Sequence, residues 1–212
     1  MNMEQMLEQI EMRKLVPVVK LDRAEDAVPM GRALCEGGLP VAEVTFRTDA
    51  AEESIRAMKK AFPDMIVGAG TVVNLEQAKR AVDAGSAFLV SPGTSTKIIE
   101  FALEQGVPVF PGVCTPTEIM TCMEYGLPVV KFFPAKQYGG LDTIKALAAP
   151  FPSMRFMPTG GVSAANVKEF LSFKKIIACG GSWMVKDTFV QEGNFAEIVR
   201  LTKEAVELVA EV

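Results

Sequence analysis

The sequence predicts an α/β protein, a closed (β/α)8 barrel of parallel strands with an extra N-terminal helix, spanning residues 1–212 as a single domain. Three observations predict it. Eight short apolar segments rich in β-branched residues alternate with amphipathic segments from about residue 15 to about residue 182, without a linker or a shift in composition. The strand candidates are mostly apolar and continuous, as parallel strands buried on both faces are. Glycine follows the helices at Gly37, Gly85, Gly106 and Gly126, the punctuation of a repeating βα unit. A closed ring leaves no exposed edge. A doubly wound open sheet competes, but no Gly-x-Gly-x-x-Gly opens the first helix.

The repeat opens with a strand over Leu15–Lys20 and a helix over Glu25–Glu36. The strand Val41–Thr45 precedes a helix over Ala51–Ala61 capped by Asp49, and Met65–Ala69 precedes Leu75–Ala84 capped by Asn74. Ala87–Val90 leads into Ser95–Glu104, and Val107–Phe110 into Pro116–Tyr125 capped by Thr115. Val129–Phe133 is the sixth strand, Arg155–Pro158 the seventh, with Ser163 capping Ala164–Leu171, and Ile176–Cys179 the eighth. Helices over Met3–Met12 and Phe195–Ala210 flank the repeat.

Composition narrows the chemistry. The chain carries 22 Lys and Arg against 26 Asp and Glu, a net charge of −4, so no broad positive field is available for nucleic acid or an anionic membrane. An anionic ligand needs a local site. With 49% apolar and 23% charged residues, the body of the chain has the makeup of a folded protein. The absence of histidine removes Ser-His-Asp and Cys-His nucleophile systems, His-ligated zinc and the commonest general base together. Carboxylate, lysine, arginine, hydroxyl or backbone must carry any chemistry. Cys35, Cys114, Cys122 and Cys179 form no Cys-x-x-Cys pair, which points to buried thiols in a reducing cytosol. The acidic N-terminus lacks the apolar core of a secretory signal, and no run approaches the roughly 20 apolar residues of a membrane helix. The expectation is a cytoplasmic protein.

In such a barrel the reactive groups sit at the C-terminal ends of the strands. Val41-Ala-Glu43-Val-Thr45-Phe-Arg47 sets Glu43, Thr45 and Arg47 on one strand face. A carboxylate inside a strand is costly unless paired or used, so either a Glu43–Arg47 salt bridge merely closes the barrel or the pair is catalytic. Leu127-Pro-Val-Val-Lys131-Phe-Phe133 sets an ammonium among Val129, Val130, Phe132 and Phe133. Desolvation there favours the free amine, the requirement for a Schiff-base nucleophile, whereas the bland reading is a lysine snorkelling out of the strand end. Lys20 is the rival; followed by the polar Asp22-Arg23, it reads as solvated or at most a substrate contact.

Val67-Gly-Ala-Gly70-Thr71 lets a ligand approach the backbone and turns the Thr71 hydroxyl inward. Ser91-Pro92-Gly93 and Pro111-Gly112 are loop punctuation unless they join a ring of loops. Pro158-Thr159-Gly160-Gly161 and Cys179-Gly180-Gly181-Ser182 place a Gly-Gly pair after each of the last two strands, where loop amides with a helix N-terminus cradle phosphate in barrels. Two ligand-free turns are the alternative. Taken together, these features describe a site for a phosphorylated carbonyl compound bearing a carboxylate, with Lys131 forming an iminium that drains electrons from a breaking carbon–carbon bond. A metal-dependent aldolase usually relies on histidine ligands, and this chain has none.

The motifs Glu43-Val-Thr-Phe-Arg47-Thr48, Gly68-Ala-Gly-Thr71-Val, Ser91-Pro-Gly93, Tyr125-Gly-Leu with Lys131-Phe-Phe-Pro-Ala135, Pro158-Thr-Gly-Gly-Val162 and Gly180-Gly-Ser-Trp183 run in one order over nearly the whole chain. As a set they resemble the 2-keto-3-deoxy-6-phosphogluconate (KDPG) and 4-hydroxy-2-oxoglutarate (KHG) aldolase family. The resemblance implies a homotrimeric TIM barrel, working without metal or other cofactor, that cleaves KDPG to pyruvate and glyceraldehyde 3-phosphate in the Entner–Doudoroff pathway. Action on KHG is commonly implied as well. By the same resemblance Lys131 is the Schiff-base nucleophile and Glu43 the general acid/base, working largely through water. Arg47 and Thr71, with the Pro92-Gly93 loop, would hold the pyruvate carboxylate. Thr159, Gly160, Gly161, Gly181 and Ser182 would surround the phosphate, and Phe133 would wall the site. Phe46 stands where the family pattern has an aliphatic residue, with a parity that points it away from the interior. Other readings stay open: an aldolase for the galactonate epimer, a non-covalent phosphate-binding isomerase or epimerase, and a sugar-phosphate sensor without turnover.

Overall fold

A computed structural model describes residues 3–212, so the first two residues of the expected domain lie outside the described part. After α1 (Met3–Arg13) come β1 (Leu15–Val19), α2 (Ala27–Glu36), β2 (Val41–Thr45), α3 (Ala51–Ala61), β3 (Ile66–Gly70), α4 (Leu75–Asp83), β4 (Leu89–Val90) and α5 (Thr96–Glu104). The chain continues through β5 (Val109–Phe110), β6 (Gly112–Val113), α6 (Pro116–Glu124), β7 (Val129–Phe132), α7 (Gly140–Ala148) and β8 (Arg155–Pro158). It ends with α8 (Val167–Leu171), β9 (Cys179–Gly181), α9 (Asp187–Gln191) and α10 (Phe195–Ala210).

The strands form a curled, parallel α/β arrangement. A six-stranded sheet runs β5-β4-β3-β2-β1-β9, and a three-stranded sheet runs β6-β7-β8. All the ladders are parallel. Single parallel bridges, Phe156 to Ile176 and Thr159 to Gly180, link β8 to the β9 segment. The expected fifth strand, Val107–Phe110, forms as the shorter β5, and Pro111-Gly112, expected as a loop, passes at once into β6, which Gly112 opens: Pro111 offers no N–H, so the ladder stops there and the chain resumes one residue later with β7 as its partner.

Large apolar side chains fill the interior. Phe88, Phe110, Phe132 and Phe156 are fully buried, each contributing about 2–3 kcal/mol of transfer free energy. Phe88 meets Phe110 edge to face at 5.8 Å. Gly68 on β3 admits that cluster, since a Cβ there would lie 2.3 Å from Phe88 Cε2. The expected extra helix forms as α1, burying Met6, Leu7 and Ile10, and Glu11 pairs with Arg155 at the start of β8 at 2.9 Å. Phe46 is buried with the Arg80 guanidinium 5.8 Å from its ring centre, so the departure at this position alters packing between β2 and α4.

Several local expectations need correction. Asn74 and Thr115 cap their helices, the latter in a reciprocal capping box with Glu118. Asp49 and Ser163 do not: α3 begins after Ala50 without a side-chain cap, and the Ser163 N–H donates to Asn166 Oδ1 at 2.8 Å. At the first glycine punctuation Gly38, with φ +83°, takes the left-handed turn that Gly37 was expected to make. The last strand lies at Cys179–Gly181 and not Ile176–Cys179, because both glycines pair with β1 while the Trp183 ring fills the space a side chain on Gly181 would need. Short α7 and α9 form where the sequence reading assigned no helix.

None of the described helices is long and apolar enough to cross a membrane. All four cysteines are free. Burial raises the Cys122 thiol to about 11 and Cys179 further, while Cys35 and Cys114 are half-buried and raised less. Titration of the native protein with an aromatic disulfide at about pH 8 is expected to label Cys35 and Cys114, and Cys122 and Cys179 only after unfolding, as read by peptide mass mapping.

Candidate active site

A cavity of about 280 Å³ opens where the strands end, and its lining includes every sequence-predicted site residue except Gly93. β2 supplies the first wall. The Thr45 hydroxyl donates to the Val19 carbonyl at 3.0 Å and accepts from Arg47 Nε at 3.2 Å, which holds the guanidinium at the strand end. No Glu43–Arg47 salt bridge forms among the described residues. Glu43 instead points at β7, where its Oε1 lies 3.4 Å from Lys131 Nζ.

Lys131 does not snorkel. Its side chain is 5% exposed, that of Glu43 is 0%, and the ammonium sits 5.1 Å from the centre of the Phe133 ring. Burying two opposite charges is a poor route to stability, which leaves chemistry as the reason for keeping them. Glu43 Oε2 has no hydrogen-bond partner among the described residues. Its position is set by Gly70 on the adjacent strand: a Cβ there would fall 2.2 Å from Glu43 Oε1. A glycine is needed for the space it leaves.

Thr71 follows with φ +55°, the left-handed region, which a β-branched residue enters at a cost of roughly 1–3 kcal/mol. The next loop is pinned from below. The Pro92 carbonyl rests on Gly112, which has no Cβ to strike it, and Thr94 Oγ1 donates to the Gly112 carbonyl at 2.9 Å. Gly93 lies just behind the lining, accepting the Ser91 hydroxyl on its carbonyl at 2.7 Å.

The loops after β8 and β9 supply the remaining wall. Thr159, Gly160, Gly161, Gly181 and Ser182 all line it, with Gly160 and Gly161 at φ +97° and +75°. No acceptor among the described residues is found for the backbone N–H of Gly161 or Ser182, while the bridge from Thr159 to Gly180 occupies the neighbouring Gly160 backbone. The expected helix N-terminus does not contribute, because α8 starts only at Val167 and has five residues. Thr159 Oγ1 is buried without a partner among the described residues and packs where a Cβ on Gly180 would stand. The cavity also touches Val18, Val162 and Gly180, which sequence reasoning missed. The two valines carry no chemical signature, and Gly180 was legible only as part of its Gly-Gly pair.

Lys20 lies outside this cavity. It pairs with Asp22 at 2.7 Å and Asp187 at 3.5 Å beside a separate space of about 180 Å³. The hydrogen bond with Asp22 raises the lysine and lowers the aspartate from their ordinary values. Among the described residues no three His, Cys, Asp or Glu side chains cluster in a way that could hold a metal ion.

A sequence profile of the family described as KDPG and KHG aldolase matches residues 6–201. The 2-dehydro-3-deoxy-phosphogluconate aldolase of Treponema pallidum is 44% identical over 202 residues, covering 95% of this chain and 96% of that protein. Among solved structures, a KDPG aldolase from Legionella pneumophila with pyruvate captured at low pH as a covalent carbinolamine intermediate matches with a TM-score of 0.90 at 34% identity, covering 93% of this chain and 96% of that one. The KDPG aldolase of Zymomonas mobilis ZM4 with 3-phosphoglycerate matches with a TM-score of 0.89 at 37% identity, covering 96% of each.

The role of Gly70 as empty space is open to a direct check. Gly70→Ala is expected to push the Glu43 carboxylate beyond ion-pair distance from Lys131 in a crystal structure of the variant. It should also lower unfolding free energy by about 1–3 kcal/mol through overpacking. A variant with the pair intact would remove that role.

Proposed function

The chain belongs to the KDPG and KHG aldolase family, and from that premise we propose that it is a class I aldolase cleaving KDPG to pyruvate and D-glyceraldehyde 3-phosphate through an imine on Lys131. The observation that carries this reading is the buried Lys131–Glu43 pair, 3.4 Å apart, in one cavity with the glycine loops. Lys131 Nζ adds to the C2 carbonyl carbon, and the carbinolamine loses water to leave an iminium. The C3–C4 bond then breaks. Its electron pair passes through C2 to the iminium nitrogen, giving an enamine, while the C4 hydroxyl yields its proton to Glu43 and becomes the aldehyde. The enamine takes a proton at C3, and water releases pyruvate and the free amine. Glu43 suits the proton steps because Oε2 has no partner among the described residues to compete for it.

Arg47, braced by Thr45, together with Thr71 and the Pro92-Gly93 loop, binds the substrate carboxylate. The amides of Gly161 and Ser182, with Thr159, Gly160 and Gly181, take the phosphate, and Phe133 walls the site beside the amine. The same pyruvyl half accounts for KHG, cleaved to pyruvate and glyoxylate. The named relatives are gluconate enzymes, which favours this reading over the galactonate epimer, and a non-covalent isomerase or a sensor has no use for a buried amine. The broader frame is a closed eight-stranded barrel, supported by the single-residue step between β5 and β6 and by the bridges from β8 to Ile176 and Gly180. It is a single domain that assembles as a homotrimer, for which exposed Leu103, Met120 and Met123 on α5 and α6 offer apolar surface, and its four free thiols suit the cytoplasm.

Borohydride reduction in the presence of pyruvate, followed by peptide mapping, is expected to label Lys131; a label elsewhere, or none, overturns the mechanism. Lys131→Arg should abolish turnover with the fold intact, because guanidinium cannot form the imine. Glu43→Gln should slow turnover by roughly 100- to 10,000-fold while still allowing adduct formation, and a near-normal rate in steady-state assays would remove Glu43 from proton transfer.

A further inference from the structure

We propose that Lys136 is a further binding residue for the substrate phosphate, supplying the full positive charge that the glycine cradle lacks. The inference rests on the aldolase reading above. A phosphate monoester carries about −1.5 to −2 charges near neutral pH. Among the described residues, the cationic side chains lining the cavity are Arg47 and Lys131, one engaged with the carboxylate and the other with the imine. What remains around the phosphate is neutral: backbone N–H groups and hydroxyls.

Lys136 stands in the loop between β7 and α7, and two contacts fix it against the cradle. Its backbone N–H donates to the Gly160 carbonyl at 3.0 Å, next to the Ala135 N–H donating to the Thr159 carbonyl at 2.8 Å. Its stem runs along Gly161, where an added Cβ would come within 2.4 Å of Lys136 Cβ and 2.9 Å of its Cδ. The left-handed Gly161 thus makes room for the lysine stem as well as for the turn. Lys136 does not itself line the cavity; its ammonium, two bonds beyond Cδ, turns in over the Gly161 loop when an anion is seated on the neighbouring amides. The residue is exposed, and no carboxylate pairs with it among the described residues. Other lysines of the adjoining loops are engaged: Lys20 with Asp22 and Asp187, and Lys186 over the Phe189 ring at 5.6 Å. In a chain of net charge −4, an unpaired lysine beside the Gly160-Gly161 turn also steers a dianionic substrate inward.

The test is steady-state KDPG cleavage by the full chain and by Lys136→Met and Lys136→Arg, at low and high salt. Lys136→Met is expected to raise KM about fivefold with kcat retained, the scale of one exposed charge pair. Its KM should also respond less to salt than that of the native enzyme. Lys136→Arg should restore most of the loss. A KM for Lys136→Met matching the native value, or a fall in kcat and thermal stability alongside it, overturns the inference. A native chain that leaves KDPG uncleaved overturns the aldolase reading instead, so the two failures are distinct.

Discussion

An amine and a carboxylate 3.4 Å apart, neither with meaningful access to water, are the constraint around which the rest of the molecule is arranged. Removing either partner would strand a buried charge, so the surrounding scaffold has to hold both at once. Lys131 is fixed because β7 is laddered on both sides, to Gly112 and to Met157. Glu43 is fixed because β2 lies between β1 and β3, in register with Val18 and Gly68. The strands that present the two groups lie in different sheets, so the pair depends on how those sheets curl toward each other. The phenylalanine cluster and the helical layer are the means by which that curl is kept.

Charge and neutrality are divided within the cavity. One part of the lining carries a guanidinium braced by a hydroxyl, another the buried pair, and the glycine loops present only dipoles. Oriented amides hold an anion without adding a counter-ion that would compete for Glu43. Their weakness is reach, since dipoles act only at contact, and the proposed role of Lys136 is to complement them at longer range.

Much of this was legible in the sequence because strand parity is local. The alternation Glu43-Thr45-Arg47 and the ammonium amid Val129, Val130, Phe132 and Phe133 needed no knowledge of neighbours; Glu43, Arg47 and Lys131 line the cavity, and Thr45 stands behind Arg47 as its hydrogen-bond brace. Asn74 and Thr115 were readable for the same reason, as capping is settled within one turn. What escaped was set by distant partners. Pairing with β1 drew Gly180 and Gly181 into a strand, Phe88 explains Gly68, and Glu43 explains Gly70. The sign of φ at Thr71 escaped too, since a threonine gives no local cue for a left-handed turn.

That threonine has a wider consequence. A glycine would occupy the same backbone conformation at less cost, so Thr71 records a bargain in which the lining was kept and robustness given up. Any search of sequence space that rewards heat tolerance alone will be drawn to codon 71, and the chains it enriches will be sturdier vessels with one hydroxyl fewer in the wall of the cavity.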